Sequence, residues 1–197
     1  MKPSNATTKE HVLNAAVTVI RSIRHPREFT IRRLTKSAGV NLNAVNYYYG
    51  SKAALVREAV RVIIGRYYQE RNIHPGSSGS DITKNIIRIC DFLFEEPVAA
   101  RLALETELET MGTGQSLTTE TMHALTTLVQ TSNPGMKENE VRLLVWTLVA
   151  TIHQLVLRPQ GASEWLGQDP GNKNNRDFLV NRLCMVLGLM PKAEETR

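Results

Sequence analysis

Residues 29–52 read FTIRRLTKSAGVNLNAVNYYYGSK, and this stretch decides the fold. Thr30 offers a hydroxyl to cap a helix, and Ile31, Leu34 and Ala38 follow at the three- and four-residue spacing that places them on one face. Gly39 ends that helix, because a tight turn there needs a residue tolerant of positive φ. Val40 is expected to enter the hydrophobic interior, and Asn41 reads as the cap of a second short helix running to Tyr49. In it Val45 and Tyr49, four apart, turn inward with Ala44, while Leu42, Asn43, Asn46 and Tyr47 stay outward. Two short helices joined through a glycine turn form a helix-turn-helix, whose second helix has a face free for base edges in a DNA major groove.

Working outward, a supporting helix is expected from about Thr8 to Arg24. Val12, Leu13, Ala16, Val19, Ile20 and Ile23 form its stripe, and Pro26 stops it. A long helix from Ser51 to about Asn72 follows, burying Leu55, Ala59, Val62 or Ile63, and Tyr67. The segment from His74 to Ser80 (HPGSSGS) is the best domain boundary, which separates residues 1–52 and a linking helix 51–72 from residues 73–197. Further helices are expected near 81–94, 97–111, 117–131, 138–158 and 175–190, punctuated by Pro97, Gly112-Thr113-Gly114 and Asn133-Pro134-Gly135. Residues 159–174 are expected either as a surface loop or to hold a short turn around Ala162 to Leu166. Strand alternation is absent, so the chain reads as all-α: an N-terminal three-helix DNA-binding domain and a C-terminal helical bundle.

Charge is uneven along the chain. The 197 residues carry a net +5, but residues 1–52 hold Lys2, Lys9, Arg21, Arg24, Arg27, Arg32, Arg33, Lys36 and Lys52 against only Glu10 and Glu28, a net of +7. The remaining residues are slightly acidic. A basic end on an acidic body suits a protein that meets phosphate at one end, although a solvated basic face has the same composition. The polar N-terminus lacks the apolar core of a signal peptide, and no apolar run approaches the ~20 residues of a membrane span, so a cytoplasmic protein with no membrane partner is expected. Cys90 and Cys184 have no metal-type spacing and read as structural thiols.

Residues 40–52, VNLNAVNYYYGSK, followed by Ala54 and Leu55, resemble the recognition helix and the start of the fourth helix in the Tet repressor (TetR) family of bacterial transcription regulators. The preceding Phe29 to Leu34 and Ala38-Gly39 match that family's second helix, so the resemblance covers roughly residues 8–60. It implies base-reading positions at Leu42, Asn43, Asn46 and Tyr47, with Tyr48 near the backbone or a base edge. Phosphate contacts are implied at Thr30, the tyrosine hydroxyls and Lys52, and Arg32 is a further DNA-contact candidate. Asn43 or Asn46 would pair with adenine, and Leu42 would touch a thymine methyl. Ala44, Tyr49 and Ala53 depart from the family, where Thr or Ser, Phe and Glu are common. Tyr49 reads as a core aromatic, Asn41 as a cap, and Arg32 and Arg33 equally as a solvated face or as backbone contacts.

Helix 138–158 (Val141, Leu144, Val145, Leu148, Val149, Ile152, Leu155, Val156) and the last helix (Phe178, Leu179, Leu183, Val186, Leu187, Leu189) are apolar on more than one face. They are the expected homodimer interface, a four-helix bundle across a two-fold axis. The resemblance also implies a small-molecule effector cavity in the C-terminal bundle. Its candidate residues are Phe92, Arg101, Leu104, Glu105, Leu108, Met111, Met122, Trp146, Thr147 and His153. Arg101 and Glu105 read first as an exposed ion pair, His153 as an interface or core histidine, and Trp146 and the methionines as core packing. No cofactor is expected. His11, His25, His74, His123 and His153 stand singly, without paired carboxylates or a glycine-rich phosphate loop, so the chain is not read as an enzyme. The expected function is a ligand-responsive homodimeric repressor that binds a pseudo-palindromic double-stranded DNA operator and is released by a small molecule. The alternatives are an activator or constitutive DNA-binding protein of the same fold, or a helical adaptor.

Overall fold

In a computed structural model, which describes residues 5–40, 42–73, 81–109 and 116–189, all regular structure among the described residues is helical. The chain groups into two units: Met1–His74 with Glu96–Leu117, and Pro75–Glu95 with Thr118–Arg197.

In the first unit, α1 (Asn5–Ser22) packs on α2 (Ile31–Ala38), α3 (Leu42–Tyr49) and α4 (Lys52–Glu70), and α6 (Pro97–Glu109) lies against α4 and α1. The inward stripe of α1 is close to what its spacing predicts: Val12, Ala16, Val19 and Ile20 are buried, with Ile23 just beyond the helix, but Leu13 is only partly buried and Val17 is buried instead. Leu34, Val45, Leu55, Ala59 and Ile63 on the helices packed against it are buried as well. Val56 and Val60 are buried too, so the core-facing stripe of α4 is wider than expected. Helix α6 buries Ala99, Ala100 and Ala103 beside Leu102 and Leu104, small side chains that let its backbone come close to its neighbours.

The glycine turn is as its sequence requires. Gly39 has φ 61° and returns its N–H to the Thr35 carbonyl, ending α2, while Gly50 has φ 72° and donates to the Asn46 carbonyl at 2.9 Å, ending α3. A Cβ at either position meets nothing within 4 Å, so backbone conformation alone favours glycine, by about 1 kcal/mol. Val40 is only partly buried, less than expected, because it sits in the turn between the two helices rather than on either inward face.

The second unit holds α5 (Ile82–Glu95), α7 (Leu117–Ser132), α8 (Glu138–Leu157), α9 (Pro159–Leu166) and α10 (Lys173–Val186). Its core gathers Ile86, Leu125, Val129, Val141, Val145, Leu148, Ile152 and Val180. Cys90 and Cys184 are free and buried there; burial pushes the Cys90 thiol up to about 12, which suits an inert packing residue. The stretch 159–174 resolves into α9, begun by Pro159 and ended by left-handed Gly167, and a short loop. That loop is fastened by Arg176, which is 3% exposed. Its guanidinium donates to Asp91 Oδ1 on α5 at 2.9 Å and to the carbonyls of Pro170 and Gly171, and it lies over the Phe94 ring. Lys173 adds a second, more exposed contact to Asp91.

Helix α8 also corrects the expectation that nothing here is long and apolar enough to span a membrane: by length and composition it is the one described helix that passes. Charged Glu138, Glu140 and Arg142 at its start hide this from a search for an uninterrupted apolar run. Its inward residues from Val141 through Ile152 are taken up by the core of the second unit, and Leu155 and Val156 are buried too.

Candidate nucleic-acid interface

Three local devices hold α2 and α3. Thr30 has extended backbone and its Oγ accepts the Arg33 N–H at 3.1 Å, the N-cap expected from its position. Ser51 does the same for α4, accepting the Ala54 N–H at 3.1 Å. Between them Val45, 0% exposed, anchors α3 to the core.

With Val45 inward, the opposite face of α3 is outward. Asn43 and Asn46 are exposed and Tyr47 is 76% exposed, so three of the four implied base-reading positions present their side chains to solvent. Leu42 is the first residue of α3; its side chain and Asn41 lie outside the described residues. Tyr48 is partly buried and packs edge to face on Tyr47, ring centres 4.9 Å apart, which restricts the Tyr47 ring without covering it. Tyr49 is partly buried and scaffolding, as its spacing from Val45 predicts. Its hydroxyl, unexpected from the sequence, donates to the Lys9 carbonyl on α1 at 2.9 Å.

The residues implied in phosphate contact flank α3 in the sequence. Because the Thr30 oxygen acts as an acceptor in the cap, its O–H hydrogen remains available to an outside acceptor. Arg32 is exposed and Lys52, at the first position of α4, is partly buried. Arg33 divides from Arg32: its guanidinium bonds the Glu28 carboxylate at 2.9 Å, so its charge is compensated locally. Glu28 is held below the usual carboxylate range, first by Arg33 and then by the backbone N–H of Arg24. It also accepts the His25 N–H, which closes the 3-10 turn Pro26–Glu28 ahead of α2.

The implied effector residues are distributed between the units. Arg101, Leu104, Glu105 and Leu108 lie on α6 in the first; Leu104 is buried, Arg101 partly buried, Glu105 exposed and Leu108 67% exposed. Phe92, Met122, Trp146, Thr147 and His153 lie in the second; Phe92 is buried, Met122 and His153 are partly buried, and Thr147 is exposed with its hydroxyl turned back to the Leu143 carbonyl. Met111 lies outside the described residues. Trp146 is 63% exposed, which corrects its reading as core packing: α8 turns Val145 and Val149 inward, and 146 falls on the opposite side.

Large apolar residues are exposed on α9, where Trp165 is the most exposed of them, and on α8 and α10. Leu143 and Trp146 on α8, and Phe178, Met185 and Val186 on α10, are all more than half exposed. On α8, Arg142, Leu143, Trp146, Thr147 and Ala150 are exposed at the spacing of a single helix face.

No family model and no curated protein matches the chain. Among solved structures it is similar to the crystal structure of a TetR transcriptional regulator from Rhodococcus sp. RHA1, with a TM-score of 0.54 and 14% identity over 92% of this chain and 96% of that one. At that identity the likeness is one of fold, and it spans both units rather than the helix-turn-helix alone.

Proposed function

We propose that the protein is a cytoplasmic, homodimeric, TetR-type transcription regulator rather than an enzyme, a repressor that reads a pseudo-palindromic DNA operator through α3 and is released by a small molecule held in the C-terminal domain. The observation that carries this reading is the outward face of α3. Asn43, Asn46 and Tyr47 are exposed on an eight-residue helix held between two left-handed glycines, in the most basic quarter of the sequence. Nothing in the core requires three such side chains on one exposed face, whereas a groove-reading helix does. Thr30, Arg32, Tyr48 and Lys52, on either side of them in the sequence, form the phosphate-contacting set, which fixes orientation without carrying sequence information. The exposed apolar faces of α8 and α10 support a two-fold dimer, which would place two recognition helices about 34 Å apart, one turn of DNA. The effector would act by biasing α4 and hence the spacing of the two copies of α3.

The division between base and phosphate contacts is testable. On the duplex the protein selects as preferred, Asn46→Ala or Tyr47→Ala is expected to cost about 1–3 kcal/mol, roughly 5- to 150-fold in affinity, while leaving binding to unrelated duplex unchanged. Arg32→Ala or Lys52→Ala is expected to weaken both duplexes and to reduce the salt dependence by about one counterion. Titration of both duplexes by fluorescence anisotropy separates the two classes. Equal losses on both duplexes from Asn46→Ala and Tyr47→Ala would remove α3 as the reading helix.

A further inference from the structure

The C-terminal ends of both helices of the helix-turn-helix are tied to a single turn of α1. His11 Nε2 lies 2.7 Å from the carbonyl oxygen of Ala38, the last residue of α2, and the hydroxyl of Tyr49, the last residue of α3, donates to the carbonyl of Lys9 at 2.9 Å. Ala38 is free to accept because the last carbonyls of a helix lack intrahelical partners. A carbonyl only accepts, so His11 Nε2 carries the proton; the neutral Nε2–H form and the imidazolium both supply it. Lys9 lies within α1, and its carbonyl has a second lone pair for the Tyr49 proton. Burial, then the Glu58 and Glu10 carboxylates, raises the Tyr49 hydroxyl above its ordinary value, which keeps it a donor. The Lys9 ammonium also lies 5.8 Å from the centre of the Tyr49 ring.

Val45 fixes the depth of α3 in the core. Bonds from Lys9 and His11, two residues apart on α1, to the end of α3 and the end of α2 add two restraints on its roll about that anchor. We propose that His11 and Tyr49 are positioning residues that set the angle of α3 against α1, and with it the register of Asn43, Asn46 and Tyr47 on the base edges. This rests on the DNA-reading function proposed above. Neither residue touches bases, so their loss should affect discrimination rather than phosphate attraction.

The test uses the full chain and the variants Tyr49→Phe, His11→Ala and His11→Gln. Affinity is measured for the preferred and a scrambled duplex at one salt concentration, and amide hydrogen exchange is followed in the free protein. Tyr49→Phe and His11→Ala are each expected to weaken preferred-duplex binding about five- to tenfold, the scale of one net hydrogen bond, with scrambled-duplex binding within about twofold of the parent. Exchange of the α3 amides should quicken. His11→Gln, whose carboxamide also donates, should restore most of the discrimination. A lowered melting temperature with an unchanged preferred-to-scrambled ratio would make these residues merely structural and overturn the proposal. Should the parent protein fail to discriminate between duplexes, DNA reading itself fails. The exchange measurement then still decides the clamp: faster exchange in the variants sustains it, and unchanged exchange overturns it.

Discussion

Asp91→Ala is expected to destabilise the protein by about 3–5 kcal/mol, because it strands the Arg176 guanidinium in the interior without a counter-charge. The Arg176 side chain is 3% exposed and that of Asp91 17%, so water can repair little of the loss. The remaining acceptors, the carbonyls of Pro170 and Gly171, belong to the very loop that the arginine fastens. Since Arg176 Nε already lacks a hydrogen-bond partner, removal of the carboxylate leaves the group poorly satisfied on two sides. In a thermal melt this corresponds to a fall of roughly 6–20 °C for a chain of this size. Lys173→Ala removes a second partner of the same carboxylate, but Lys173 is 54% exposed and its pair is screened, so a change below about 1 kcal/mol is expected. The double variant Asp91→Ala/Arg176→Leu should regain much of the loss, since a buried pair replaced by apolar groups leaves no uncompensated charge. If Asp91→Ala melts no lower than Lys173→Ala, the latch does not hold the loop.

The second large effect concerns self-association. Trp146→Glu is expected to weaken the proposed dimer by at least about thirtyfold, since truncating or charging a central aromatic anchor commonly costs 2–4 kcal/mol or more. The site suits this experiment because Trp146 is already exposed, so its replacement leaves the core of the second unit intact. The surrounding face also suits association: the hydroxyls of Thr147 and Thr151 are bonded to the carbonyls of Leu143 and Thr147, at 2.9 and 2.8 Å, which lowers the polar desolvation that contact would demand. Sedimentation velocity over a micromolar concentration series reads the outcome directly. A parent protein that sediments as a dimer together with a Trp146→Glu variant that remains equally dimeric would place the interface elsewhere.

Much of the local structure was legible because local physics determines it. Gly39, the Thr30 cap and the inward Val45 follow from turn, cap and period rules that need no knowledge of the rest of the chain. Other features were not legible, for one common reason: periodicity shows that a face is covered but not by what. The pattern of α6 marks its buried stripe, yet nothing in it indicates that Glu96–Leu117 groups with the N-terminal residues. The apolar residues of α8 read as covering more than one face, but which residues face which way was not legible: Trp146 read as core packing, whereas the structure turns Val145 inward and Trp146 outward. Asp91 and Arg176, 85 positions apart, are the residue types expected at a surface, so their burial as a pair carried no sequence signal. The one overlooked clue at the candidate interface was Tyr49 where the resembling family commonly has Phe. Its extra hydroxyl had to bond something, and the structure supplies the Lys9 carbonyl.

Selection of preferred duplexes from a random pool at about 0.15 M salt tests most directly whether α3 reads DNA sequence. The expected result is enrichment of a two-fold-related pair of half-sites whose centres lie one helical turn apart, or a multiple of it, bound at least about a thousandfold more tightly than unselected DNA. Binding to all duplexes alike, lost steeply as salt is raised and with no enriched symmetric site, would contradict it. The basic first quarter of the chain would then be an electrostatic surface only.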